Sequence, residues 1–61
     1  MNEFYTVNDI LLLTDLSIDD VNTLIDKLNQ EIIDRCKKYH LTPTIRKGRI
    51  LKDYFMKRME N

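Results

Sequence analysis

Glycine and proline occur once each in this chain of 61 residues, as Gly48 and Pro43. Their scarcity argues against a disordered or low-complexity chain, and 43% hydrophobic with 33% charged residues points to a helix-rich globular domain. Cysteine also occurs once, so no internal disulfide can form, and Cys36 falls among apolar helix positions that favour a buried thiol over a reactive one. The only histidine, His40, lies four residues after it, so the pair could bind zinc only between two chains, and no metal site is expected. No apolar run approaches the ~20 residues that span a bilayer, and Met1 to Thr6 lacks the basic start and apolar stretch of a secretory leader. A soluble cytoplasmic protein with no membrane partner is the expectation. A glycine-rich phosphate loop, a nucleophile paired with a base and a cluster of metal ligands are all missing, so neither enzymatic activity nor a cofactor is expected.

What the sequence does contain is organised around Ser17 to His40. At about 100° per residue, Ile18, Val21, Leu24, Ile25, Leu28, Ile32, Cys36 and Tyr39 fall in one arc, opposite Asp19, Thr23, Asp26, Lys27, Gln30 and Asp34. This predicts an amphipathic helix capped by the Ser17 hydroxyl, with Asp20 at the reciprocal position of a capping box. At ~1.5 Å per residue it spans roughly 33 Å, against a radius of gyration near ~10 Å for a chain of this length. Every other element must therefore pack on it. A chain this short allows a single domain, residues 1–61, with one small core that is marginal unless tightly helical or completed by a second copy.

Ahead of the long helix, Thr6 reads as the cap of a first helix beginning at Val7, with Asp9 three residues on and Val7, Ile10, Leu11 and Thr14 facing inward. Ile10 to Leu13 is apolar on every side. Leu12 and Leu13 are therefore open to three readings: core, residues covered by the terminal strand, or, together with Ile33, a dimer contact. Thr14 to Leu16 forms the turn, with Leu16 between the helices and Asp15 in the left-handed conformation. After Pro43 the period changes. Thr44 to Arg46 and Arg49 to Leu51, separated by Lys47-Gly48, read as two short strands about a tight turn, with Gly48 supplying positive φ. Residues 52 to 59 form a last helix whose Phe55 and Met59, with Leu51, close the core.

The net charge is zero, yet its distribution is polar. Residues 1–34 carry eight carboxylates against Lys27, and residues 35–61 carry nine cations against Asp53 and Glu60, so the halves stand at −7 and +7. Acids at the start of the long helix and bases at its end complement its dipole, and Glu31 with Arg35, Asp34 with Lys38 and Asp53 with Lys57 have i, i+4 spacing. Arg46, Lys47, Arg49 and Lys52 lie outside that helix and need another reason.

Tyr5-Thr6-Val7, Asp9-Ile10, Leu13, Leu16-Ser17, Ile25, Leu28-Asn29, Gly48-Arg49-Ile50, Lys52 and Tyr54-Phe55 together resemble the small winged-helix DNA-binding proteins of the excisionase type, with a MerR-like arrangement. These occur on phages and mobile elements of Gram-positive bacteria. The resemblance spans about residues 5 to 59 and implies a mainly α fold with a small β-hairpin: a winged helix-turn-helix of short strand, helix, turn, long helix, hairpin wing and final helix. It implies that the long helix enters the major groove of double-stranded DNA, that the wing lies along the backbone or minor groove, and that the task is excisive recombination or transcriptional control.

On that reading Asp19, Asp20, Asn22, Thr23 and Asp26 face the bases, with Asn22 and Thr23 contacting them, while Lys37, Lys38, Arg46, Lys47, Arg49 and Lys52 meet phosphates and Lys27 joins the DNA-binding set. The chain departs from the group at Asp19, Asp20 and Asp26, where relatives usually place cations, so phosphate contact falls mainly to the wing. Leu12, where relatives are usually polar, and Leu51, where they place a Ser or Pro cap, are further departures. The alternative function is a protein-interaction module: an inhibitor or DNA-mimicking adaptor of phage origin that presents Asp19, Asp20, Asp26, Leu12 and Ile33 to a host or phage protein.

Overall fold

The computed structural model describes residues 3–60, so Met1, where the stretch read against a leader begins, lies outside the described residues. In chain order the elements are β1 (Phe4–Thr6), α1 (Val7–Leu13), α2 (Ile18–Lys38), β2 (Arg49–Leu51) and α3 (Lys52–Met59). The longest dimension is 35 Å and the radius of gyration 11.6 Å, so α2, about 31 Å long at 1.5 Å per residue, runs nearly the length of the molecule.

Local chemistry sets the element boundaries. The Thr6 hydroxyl accepts from the Asp9 amide at 3.3 Å and the Asp9 carboxylate accepts from the Thr6 amide at 2.9 Å, a complete capping box at the start of α1. Thr14 ends that helix in an extended conformation, its hydroxyl donating to the Ile10 carbonyl at 2.9 Å and accepting from the Leu16 amide at 3.3 Å. These two bonds do what a left-handed Asp15 was expected to do, and Asp15 does not take positive φ. Ser17 caps α2 by accepting from the Asp20 amide at 3.1 Å. Positive φ falls instead at His40 (58°), where the Leu41 amide donates to the Cys36 carbonyl at 2.8 Å and the His40 amide to that of Lys37 at 3.3 Å. That paired closure is a Schellman motif, and it ends α2 at Lys38, two residues before the expected limit.

The sheet differs from the expected hairpin. β2 pairs antiparallel with β1, with Phe4 opposite Leu51, Tyr5 opposite Ile50 and Thr6 opposite Arg49. Thr44 to Arg46 forms no strand. Only the turn survives from the expected pair: the Arg49 amide donates to the Arg46 carbonyl at 3.1 Å, with Gly48 at φ 73°. The N-terminal strand offers β2 a partner with bulky residues at matched positions, and Pro43 lacks the amide hydrogen that a regular strand would use.

Ile10, Val21, Ile25, Leu28, Ile32, Ile50 and Phe55 form the core. Full burial of one such side chain is worth roughly 1.5–3 kcal/mol. Phe55 meets Tyr5 edge to face at 5.5 Å between centroids, which ties α3 to β1. The expected core narrows at its ends. Ile18, Tyr39 and Met59, at the two ends of α2 and the end of α3, are exposed, and Leu16, expected between the helices, is exposed in the turn, where its amide donates to the Thr14 hydroxyl. Leu12 and Leu13 are exposed as well, at 87% and 58%, so neither is core and β1 does not cover them.

Candidate nucleic-acid interface

Residues Arg46 to Arg49 form a fixed cationic turn. Gly48 occupies the left-handed region that its third position requires, and a Cβ added there would meet nothing within 4 Å. Its outgoing end continues into β2, which is paired with β1 on one side. On the other side the Asn29 side-chain amide, buried in the middle of α2, donates to the Arg49 carbonyl at 2.9 Å. The backbone of the turn is thus held by a hydrogen bond of its own, a strand and the long helix, while Arg46, Lys47 and Arg49 remain exposed. Among the described residues, none of the three forms an ion pair with a carboxylate. Arg46 lies over the Phe4 ring at 5.9 Å and its guanidinium donates to the Ile45 carbonyl at 3.2 Å. This restricts where that cation points without neutralising it.

The Asn29 bond fixes which flank of α2 adjoins the turn. By helical period, Asn22, Asp26 and Ile33 share the Asn29 flank, and Asp19 and Lys37 lie at its edge. Of these Ile33 is half-buried and the others are exposed. Thr23 is exposed on the side away from the core, while Asp20, Lys27 and Lys38 lie toward the other flank. Lys38 also covers the Tyr39 ring at 5.7 Å. Lys52 separates from the turn too: half-buried, it sits over the Tyr5 ring at 5.3 Å and close enough to Asp9 to favour that carboxylate's charged form. Of the cations expected to contact phosphate, the fold therefore groups Arg46, Lys47 and Arg49, with Lys37 further along the edge of the same flank. Lys27, Lys38 and Lys52 are elsewhere. The acidic set divides likewise, Asp26 and Asp19 lying toward the turn and Asp20 away from it, with Leu12 apart from both on α1.

The opposite flank carries a cluster that the sequence did not disclose. Glu31 accepts from the Tyr54 hydroxyl at 2.7 Å and pairs with Arg58 at 3.0 Å. These contacts replace the expected pairing with Arg35 and tie α3 to α2. The Tyr54 hydroxyl bond, followed by the guanidinium, holds the Glu31 carboxyl below its usual range despite some desolvation. Burial, then the Glu31 charge, raises Tyr54. Asp34 accepts from Gln30 at 3.1 Å and forms no ion pair with Lys38 among the described residues, nor does Asp53 with Lys57. Around the cluster is an open hollow of about 380 Å³ lined by Glu31, Asp34, Arg35, Tyr54 and Arg58.

Asn29 was the other functional residue without an assigned role. Its signal in the sequence was a polar side chain at a core-facing helical angle, beside Leu28 and between Ile25 and Ile32. Comparison with protein families, with curated proteins and with solved structures finds no match for this chain.

Among the described residues no group of His, Cys, Asp and Glu is arranged to hold a metal ion, and no helix is long and apolar enough to cross a membrane. What the geometry offers is a group of exposed cations on a hydrogen-bonded turn beside one flank of a long helix. Such a group can meet phosphates.

Proposed function

We propose that this chain is a small double-stranded-DNA-binding protein of winged helix-turn-helix type, an excisionase-like factor or transcriptional regulator of a mobile element. The observation that carries this reading is the braced turn with Arg46, Lys47 and Arg49 exposed and free of carboxylate partners among the described residues. Three cations on a braced backbone add no backbone ordering cost when they meet phosphates, although their side chains still lose rotamer freedom, and counterion release supplies the affinity. The wing is a turn whose second strand adds to β1, and Asn22 on the adjoining flank of α2 is the side chain suited to reading a base edge. Asp26 on that flank opposes non-specific attraction and reserves tight binding for sites where a cytosine amino group can meet it.

A second reading has its own observation. Asp19, Asp20 and Asp26 are exposed and form no ion pair among the described residues, which suits capture of a basic protein partner. Amide chemical-shift mapping during titration with a random duplex separates the two. DNA binding predicts perturbations centred on residues 46–49 and on the Asn22–Asp26 flank. No perturbation at low salt, or shifts confined to α3, would overturn it.

A further inference from the structure

β1, the end of α1 and α3 border an open, mainly apolar groove of about 360 Å³ lined by Tyr5, Leu13, Thr14, Phe55, Met56, Met59 and Glu60, none of them in the cationic turn. Met56 and Met59 are 52% and 50% exposed and Leu13 58%, beside a buried apolar core of seven residues among those described. The Tyr5 hydroxyl reaches the Met56 sulfur at 3.9 Å, which holds that side chain against the groove wall. Lys52 does not line the groove, but its ammonium lies over the ring of Tyr5, which does. Glu60, though past the end of α3, keeps helical backbone angles (φ −72°, ψ −14°), and its amide donates to the Met56 carbonyl at 3.1 Å.

Lys52, Met56 and Glu60 are thus successive positions four residues apart on one helical stripe, with Met59 beside them. The stripe has a cation at one end, a carboxylate at the other and exposed methionine between. We propose that it is the contact face of a homodimer in which two copies of α3 pack antiparallel about a two-fold axis through Met56. Reversing the stripe brings Lys52 of one copy opposite Glu60 of the other at both ends, and Met56 onto its own counterpart. One stripe is therefore its own complement, as an isologous contact requires. A parallel arrangement would oppose like charges at both ends. Methionine suits such a contact because its unbranched thioether repacks at little cost. Two short helices bury less than the ~1,200 Å² at the low end of stable interfaces, so the dimer is weak and depends on concentration. The face is separate from the cationic turn.

Sedimentation equilibrium and disulfide trapping test this together. Wild-type chain at several hundred micromolar should show monomer and dimer in exchange. Glu60→Lys and Met56→Lys should each weaken association about tenfold or more with unchanged circular dichroism, and Lys52→Glu combined with Glu60→Lys should recover it. In a Cys36→Ser background, Met56→Cys should cross-link to itself on mild oxidation far faster than Lys57→Cys, which faces away. The proposal is overturned if the wild type is monomeric throughout, if a dimer persists in Met56→Lys, or if Met56→Cys traps no faster than Lys57→Cys.

Discussion

The side-chain amide of Asn29 donates to the main-chain carbonyl of Arg49 at 2.9 Å, joining residues twenty apart in sequence. It is the one buried polar side chain among the described residues, and it couples the middle of the long helix to the point where the cationic turn becomes a strand. Asn29→Ala removes the donor and leaves the carbonyl underserved, at a cost of about 1–3 kcal/mol in urea unfolding. Amide exchange should also quicken at residues 46–49. An equally stable variant with unaltered exchange there would show that the turn does not depend on α2.

Leu28 is 1% exposed at the centre of the core. Leu28→Ala is expected to cost ~2–5 kcal/mol, enough to populate the unfolded state of so small a domain at room temperature. Chemical denaturation reads this directly. A loss below about 1 kcal/mol would mean that the neighbours collapse into the space and that the long helix is not the centre of packing.

Glu31 and Asp9 both have pKa values held below their ordinary 4.5 and 3.8, Glu31 chiefly by the Tyr54 hydroxyl and Asp9 by the Thr6 amide. A carboxylate with a depressed folded-state pKa stabilises the fold above its unfolded pKa, and that contribution disappears as pH falls through the folded value. Melting temperature should therefore decline from about pH 4.5 downward, with a smaller decline in Glu31→Gln, which lacks the Glu31 share and keeps that of Asp9. Tyr54 has the opposite sign: its raised pKa contributes below 10.0 and is lost as pH rises through the higher folded value, a decline absent from Tyr54→Phe. Superimposable pH profiles for wild type and Glu31→Gln would exclude the α2–α3 tie.

Much of this architecture was legible because it is written in local chemistry. Thr6 and Ser17 announce two helix starts by their hydroxyls, the arc of Val21, Ile25, Leu28 and Ile32 gives the buried face of α2, and Gly48 marks the turn. The misreadings involve choices that only the third dimension settles. Both Thr44 to Arg46 and Phe4 to Thr6 could supply a partner for Arg49 to Leu51, and nothing in the spacing says that the distant segment wins. Glu31 could meet Arg35 one turn away or Arg58 on another helix; Tyr54, next to the buried Phe55, brings α3 close enough to decide for the latter. The cationic turn was visible as a cluster, but that Lys27 and Lys38 would be turned away from it depends on how α2 is rotated, which Asn29 fixes, and Lys52 is drawn to the Tyr5 ring at the start of α3.

Binding to a random duplex as a function of salt tests the central claim most directly. Each phosphate contact contributes about 0.9 to the log–log slope, so Arg46→Ala with Arg49→Ala should flatten the wild-type slope by nearly two units, roughly 1.8, and weaken all sequences alike. If the wild type fails to bind at low salt, or if the double variant retains the full slope, the cationic turn does not engage phosphates and the DNA-binding account is contradicted.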